Sequence, residues 1–302
     1  MKSEHFLNNC NTMLWGRVLA LAGLMFCGLL MSAIVGLGFV NLAKLDEAYM
    51  GRLLQFLATI FVFILPAMVY VRMFGGKLGS GLLLNVVGDR RVLLPVVLSM
   101  FLLLPSITFL GYVNEQMSFP DFMRPLEDWM RMMEDKAQEN ADLFFRDTDL
   151  PAVVCNMLVM AVMAGFAEEL LFRGALMHAL SGRMPGGHAA IWIVAVIFSA
   201  FHLQFYGFVP RLLLGAYLGY LVYWSRSLWP AILAHFTNNA IIVVFMGIGS
   251  LKDMSIATGE IHSEEIGLYA LASALTLPLF ACCVRFVYKR RLSVEANFQS
   301  SQ

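Results

Sequence analysis

Charge is what this sequence has least of. Asp, Glu, Lys and Arg together make up 14% of the 302 residues, while 59% are hydrophobic; a soluble domain carries about 25% charged residues. Such a chain cannot cover a soluble globular enzyme with polar surface. It also lacks a charge of one sign. Lys plus Arg and Asp plus Glu stand at 21 each, so nothing calls for nucleic acid or another polyanionic partner. Paired cysteines are missing too. Cys10, Cys27, Cys155, Cys282 and Cys283 form no Cys-x-x-Cys and lie mostly inside apolar runs, where a thiol behaves as a small hydrophobe. Neither a disulfide framework nor a sulfur-ligated metal is expected. Without repeats, low-complexity tracts or a linker, residues 1–302 read as one domain.

What the sequence has instead is long uncharged runs, and a helix needs about 20 apolar residues to cross a hydrocarbon core. Spans are predicted near Val18–Val40, Leu53–Val71, Val92–Val113, Leu150–Leu180, Ala189–Leu203, Leu212–Trp224, Leu228–Ile248 and Ile266–Val284. The expected fold is all-α, a polytopic membrane bundle of about eight helices. The first run is too long for a signal-peptide core and should stay as a span. Lys and Arg near span ends set the orientation. Arg72, Lys77, Arg90, Arg91, Arg183, Arg226, Lys289, Arg290 and Arg291 fall on one side, while residues 114–149 and 249–265 are rich in Asp and Glu. Both termini are therefore expected in the cytoplasm. Between Asp121 and Asn140, Phe122, Met123, Leu126, Trp129, Met130, Met132 and Met133 alternate with charges as in an interfacial helix. That helix either gates lateral entry or, the preferred reading, caps the ends of the spans.

Against this apolar background the intramembrane ionisable residues stand out: Glu168, Glu169, Arg173, His202 and His235, with His178 near a span end. A charge at the bilayer centre costs about 2.5–3.5 kcal/mol on the lenient insertion scale, so such residues usually face a bundle interior and carry function. Glu169 and Arg173 are four apart on one helical face, which suits an ion pair that is either structural or functional. Glu168 lies about 100° further round without a partner on its own helix, the position of a candidate general base. Phe198 and His202 share a second face, and His235 and Asn239 a third. The span directions place Glu168, His202 and His235 at or below the midplane on the cytoplasmic half, where they can meet in one cavity.

A Glu and a His that jointly hold a water can deprotonate it for attack on a carbonyl, while the second His and an Asn amide donate to the developing oxyanion. Equally, Glu168, His202 and His235 form a three-ligand zinc set with one position open. No Ser or Cys sits in a recognisable nucleophile context, which makes an acyl-enzyme the less attractive route.

Glu168-Glu169-Leu170-Leu171-Phe172-Arg173, Phe198-Ser199-Ala200-Phe201-His202 and His235-Phe236-Thr237-Asn238-Asn239 resemble, in order, the Glu-Glu-x-x-x-Arg, Phe-x-x-x-His and His-x-x-x-Asn motifs of the CPBP family. That family includes the type II CAAX prenyl endopeptidases and the bacteriocin-processing or immunity (Abi) proteins. The similarity covers about residues 150–250. It implies an eight-helix intramembrane protease of a bacterial plasma membrane, acting on a membrane-associated protein or peptide. By the same resemblance Glu168 is the general base, His202 helps bind the water, and His235 with Asn239 stabilises the oxyanion. Glu169 and Arg173 hold the first motif in place, and Asn238 packs. Some members are described as metalloproteases and others as metal-independent, so the resemblance leaves a divalent cofactor such as zinc open.

Remaining features have plainer readings. Gly215 and Gly219 suit helix packing, the Gly-rich stretch 75–81 lacks the ending of a phosphate loop and suits a turn, and the 20 methionines are soft apolar filler. Two competing functions stay in view. One is a non-catalytic scaffold or immunity-type protein, and the other a transporter or proton relay, for which no paired broken helices are found.

Overall fold

The computed structural model describes residues 14–74, 76–84, 87–181, 187–248 and 251–299. Cys10, Gly75 and Arg183 lie outside the described residues, as does the side chain of Arg291. Long apolar runs can satisfy their backbone in lipid only by bonding internally, and all the long elements are helices: α1 (Leu14–Leu42), α2 (Glu47–Phe74), α3 (Leu93–Glu115), α4 (Arg124–Phe144), α5 (Leu150–Leu180), α6 (His188–Phe201), α7 (Phe208–Ser225), α8 (Trp229–Gly247) and α9 (Ile266–Gln299). The chain is an all-α integral membrane protein. Six helices, α1, α2, α3, α5, α8 and α9, are long and apolar enough to cross a bilayer among the described residues. The two remaining predicted spans fall on α6 and α7, of 14 and 18 residues.

Charges tie the outer helices to one end of this bundle. Arg17 at the start of α1 lies over the Phe74 ring at the end of α2, and Arg290 on α9 pairs with Asp89 before α3. The start of α1 and Arg290 thus sit at the end where the chain passes from α2 to α3. The other end carries α4 and the connections 202–207 and 248–265. Arg146–Asp46 at 2.8 Å and Lys252 Nζ donating to the Phe145 carbonyl at 3.3 Å hold that end together.

A layer of buried Leu, Ile, Val, Ala and Phe from α2, α3, α5, α6, α7 and α8 forms the core. Close helix approach is set by small residues. On α7, a Cβ added to Gly219 would stand 2.8 Å from Ile191 Cγ2, so the Gly-x-x-x-Gly face packs on α6. Two stretches of α5, Met157–Met163 and Leu170–Leu176, are π-helical. Such turns admit an extra residue and commonly mark functional sites, and here they flank Glu168 and Glu169.

Alternating charge and Met along residues 121–140 becomes α4, which lies across the bundle end rather than through it. Met130 is its buried anchor. Trp129 packs on Phe205 with ring centroids 5.3 Å apart, and Arg131 lies 4.8 Å over the Tyr206 ring.

Candidate active site

Three helices bring the intramembrane polar residues to one place. Gly165 makes this approach possible, because a Cβ there would lie 3.0 Å from the Phe236 backbone nitrogen; α5 and α8 touch backbone to backbone one turn from Glu168 and His235. The third helix, α6, is only about 21 Å long at 1.5 Å per residue. It stops inside the bundle, where Leu203 takes a left-handed turn with φ 56°, so His202 stands beside Glu168 at the helix end.

The first part of the site is a dry knot. Glu169 and Arg173 are both 0% exposed and paired at 2.7 Å, which is the ion pair their spacing allows. Arg173 also donates through Nη2 to the Gly215 carbonyl at 2.8 Å and stacks 4.5 Å over the Phe198 ring. His235 Nδ1 meets the same Glu169 Oε1 at 2.9 Å. A carboxylate held against a guanidinium only accepts, so Nδ1 carries the proton and the other ring nitrogen, Nε2, points away from the knot. Glu169 Oε2 and Arg173 Nε stay buried without hydrogen bonds.

The second part faces a cavity. Glu168 Oε2 is buried with no hydrogen-bond partner and lies 3.9 Å from both His202 Nε2 and His235 Nε2. His202 Nδ1 bonds the Phe198 carbonyl at 2.8 Å, so its proton is on Nδ1 and its Nε2 offers a lone pair. The Phe198 ring stands edge-on to both imidazoles. Glu168 Oε2 and the two Nε2 atoms thus converge at a separation too wide for a direct bond. A bridging water that donates one hydrogen bond of about 2.8 Å to Glu168 Oε2 and one to a facing Nε2 fills such a gap.

The donor types are also those that zinc accepts. Their spacing is wider than the roughly 3.4 Å between ligands bound about 2.1 Å from a tetrahedral ion, and among the described residues no three His, Cys, Asp or Glu gather tightly enough to enclose a metal. The geometry fits a water better than a closed metal site.

In front of the two imidazoles lies a cavity of about 400 Å³, lined on its polar side by His202, His235, Asn238, Asn239, Gln204 and Arg211. Asn239 Nδ2 donates to the Met160 carbonyl in the first π-helical stretch at 2.9 Å, and Asn238 Nδ2 donates to Asn239 Oδ1 at 3.1 Å. Each amide keeps one N–H in hand. Asn238 therefore lines the cavity as well as packing. Gly207, Ile256, Thr258 and Gly259 also line it, so the cavity runs toward the end bearing α4 and the 251–265 segment. The open space lies on the side of the three side chains nearer α4 and the 202–207 connection.

Gln204 and Arg211 of this wall belong to no motif, and residues behind the wall hold the segment that carries Gln204. Glu134 of α4 accepts from Gln204 Nε2 and from the Tyr206 backbone N–H, both at 3.3 Å. Asn114 of α3 clasps the same connection, donating to the Phe205 carbonyl at 3.0 Å and accepting from the Val209 N–H at 2.8 Å. The segment after His202 is thus held from two sides by residues distant in sequence, a signal that no local pattern encodes.

Comparison with known proteins bears on the same part of the chain. Residues 150–241 match the family described as "Type II CAAX prenyl endopeptidase Rce1-like". The "Uncharacterized protein YpbD" of Bacillus subtilis (strain 168) is 27% identical over 90 residues, which is 28% of this chain and 43% of that protein. The chain thus spans less than half of the curated relative it resembles. No solved structure matches at a comparable level.

Proposed function

Starting from a segment similar to the type II CAAX prenyl endopeptidases, we propose that this protein is an intramembrane endopeptidase that hydrolyses a peptide bond of a membrane-associated protein or peptide with a water activated by Glu168 and His202. The observation that carries the reading is a buried, unpartnered carboxylate oxygen 3.9 Å from two imidazole nitrogens, beside a polar-walled cavity.

In this mechanism the water gives one hydrogen bond to Glu168 Oε2 and one to His202 Nε2, which aims its lone pair at the scissile carbonyl carbon. Glu168 takes the proton as the C–O bond forms and returns it to the amine as the C–N bond breaks. The remaining Nδ2–H groups of Asn239 and Asn238 donate to the oxyanion, and His235 joins them through Nε2 when it is protonated. Glu169, held by Arg173, fixes the ring of His235, and Phe198 holds both imidazoles edge-on. Were zinc bound, Glu168, His202 and His235 would hold it and it would acidify the water; the route above needs no such ion. With both termini in the cytoplasm, the cavity faces the opposite side of a bacterial plasma membrane.

The test is cleavage of a membrane-anchored peptide library by purified protein in liposomes, wild type beside Glu168→Gln, with and without EDTA. Cleavage by wild type that Glu168→Gln abolishes and EDTA spares is the expected result. Cleavage that survives Glu168→Gln overturns the assignment. If a cellular phenotype of the protein persists in Glu168→Gln, His202→Ala and His235→Ala alike, the non-catalytic scaffold replaces it.

A further inference from the structure

One cation of the cavity has no role in the chemistry above. Arg211 sits in the first turn of α7, and its guanidinium joins His202, His235, Asn238 and Asn239 in the cavity wall. Burying a guanidinium in a membrane bundle is costly unless it is paired, yet among the described residues the ion pairs of Arg91, Arg131, Arg146, Arg173 and Arg290 leave Arg211 without a carboxylate in contact. The carboxylates whose charge it feels are Glu134 and Glu168.

Its orientation is nonetheless fixed. Nη1 donates to the Gln204 backbone carbonyl at 3.0 Å and Nη2 to the Gln204 side-chain oxygen at 3.1 Å. Gln204 is itself held by Glu134. Two of the five guanidinium N–H groups are spent on this cradle, which leaves three. A fixed guanidinium with donors to spare, in a cavity wall whose other polar residues are amides, imidazoles and hydroxyls, is a carboxylate receptor: the planar fork donates two parallel hydrogen bonds to a carboxylate.

We infer that Arg211 is a specificity-determining residue that anchors a carboxylate of the bound peptide close to the bond presented to Glu168 and His202. The carboxylate is either the free C-terminus of the peptide or an Asp or Glu side chain within it. This deepens the proposed function, since it rests on the cavity being the peptide site. It does not depend on catalysis: a non-catalytic protein binding peptides in the same cavity would show the same preference.

The experiment therefore measures binding on a Glu168→Gln background in lipid nanodiscs. The probes are N-acylated, fluorescently labelled decapeptides of one apolar sequence in three forms: free C-terminal carboxylate, C-terminal carboxamide, and carboxamide with Asp or Glu placed in turn at the last four positions. The expected result is that one carboxylate form binds about 30-fold or more tightly than the plain carboxamide, the loss typical of removing one partner of a buried charge pair. Arg211→Gln should erase the difference, and Arg211→Lys should restore only part of it, because an ammonium keeps the charge but not the fork. A winning free terminus identifies an end-recognising site, and a winning Asp or Glu an internal one. Equal affinity of all forms, saturable binding of none, or a preference unchanged in both Arg211 variants overturns the inference. A thermal melt of each variant checks folding. If Arg211→Gln is unfolded, Gln204→Ala, which removes the side-chain half of the cradle, must weaken the preference or the inference fails. Cleavage of the winning peptide by protein with Glu168 intact is scored separately, so failure of the hydrolytic reading and failure of the anchor are told apart.

Discussion

Glu168 and Glu169 are neighbours in sequence and opposites in environment. Glu169 faces a region closed to solvent: it is 0% exposed and its Oε1 takes both Arg173 and His235. Glu168 faces the two imidazoles, its side chain is 16% exposed, and its Oε2 has no partner. About 100° of helix rotation separates a carboxylate committed to holding helices together from one left available for chemistry. Side-chain type does not separate the two acids; their surroundings do, because each leaves Oε2 without a bond but only Glu169 has its other oxygen held by a guanidinium and an imidazole.

The strongest way to break this comparison is to swap the defects. Glu168→Gln keeps the shape of the cavity face and removes only a base, so activity against a cleavable peptide should fall about 10²- to 10⁴-fold while the melting temperature stays within a few degrees of wild type. Glu169→Ala should do the reverse. It strands a buried guanidinium, which costs about 3–5 kcal/mol, and so lowers the melting temperature and the yield of folded protein in detergent. Replacing Glu169 and Arg173 together by Leu and Met removes the stranded charge and should recover much of that stability. If Glu168→Gln proves the more destabilising of the two single changes, the division of roles is wrong.

A smaller effect tests the oxyanion side. Asn239→Ala removes one donor in hand and also the anchor to the Met160 carbonyl. The turnover number should fall about 10²- to 10³-fold, with little change in KM. Asn238→Ala, which removes an amide bonded to Asn239 Oδ1, tests whether the neighbour shares the task. If Asn238→Ala costs more than Asn239→Ala, the oxyanion donor is Asn238.

Much of this was legible in the sequence because it is local. Uncharged runs mark helices through length and hydropathy alone, and the charges that interrupt them are rare enough to point at Glu168, Glu169, Arg173, His202 and His235. The Glu169–Arg173 pair follows from helical spacing, which the π-helical stretch leaves intact. What was not legible is non-local. The cap over the cavity depends on Glu134 meeting Gln204 across 70 residues and Asn114 meeting Phe205 across 91, and each of these looks like an ordinary polar residue near a span end. The end of α6 was legible to within two residues, but the side on which the cavity opens was not, because its wall is gathered from α3, α6, α7, α8 and residues 256–259. The amphipathic 121–140 pattern announced a surface helix but not the connection it would grip.

Glu134 supplies a third carboxylate between the two extremes, half-buried on α4 outside the spans. Burial, with a lesser push from Glu115, raises its pKa above the usual 4.5, outweighing the Tyr206 N–H, Arg211 and Gln204, which act to lower it. A folded-state pKa above the unfolded one means that the folded protein binds the proton more tightly. The associated stability is fully present below about pH 4.5 and is lost as pH rises through the raised value. The grip of α4 on the connection after His202 should therefore loosen over the range just above pH 4.5. Hydrogen exchange of the Tyr206 amide, which donates to Glu134, should speed up over that range beyond the intrinsic pH dependence of exchange. Glu134→Gln, which cannot ionise, should abolish the extra acceleration. It should also remove the small pH-dependent loss of melting temperature expected of wild type. If wild type and Glu134→Gln share one pH profile, burial does not govern this carboxylate, and the connection is held by Asn114 and the Trp129–Phe205 contact alone.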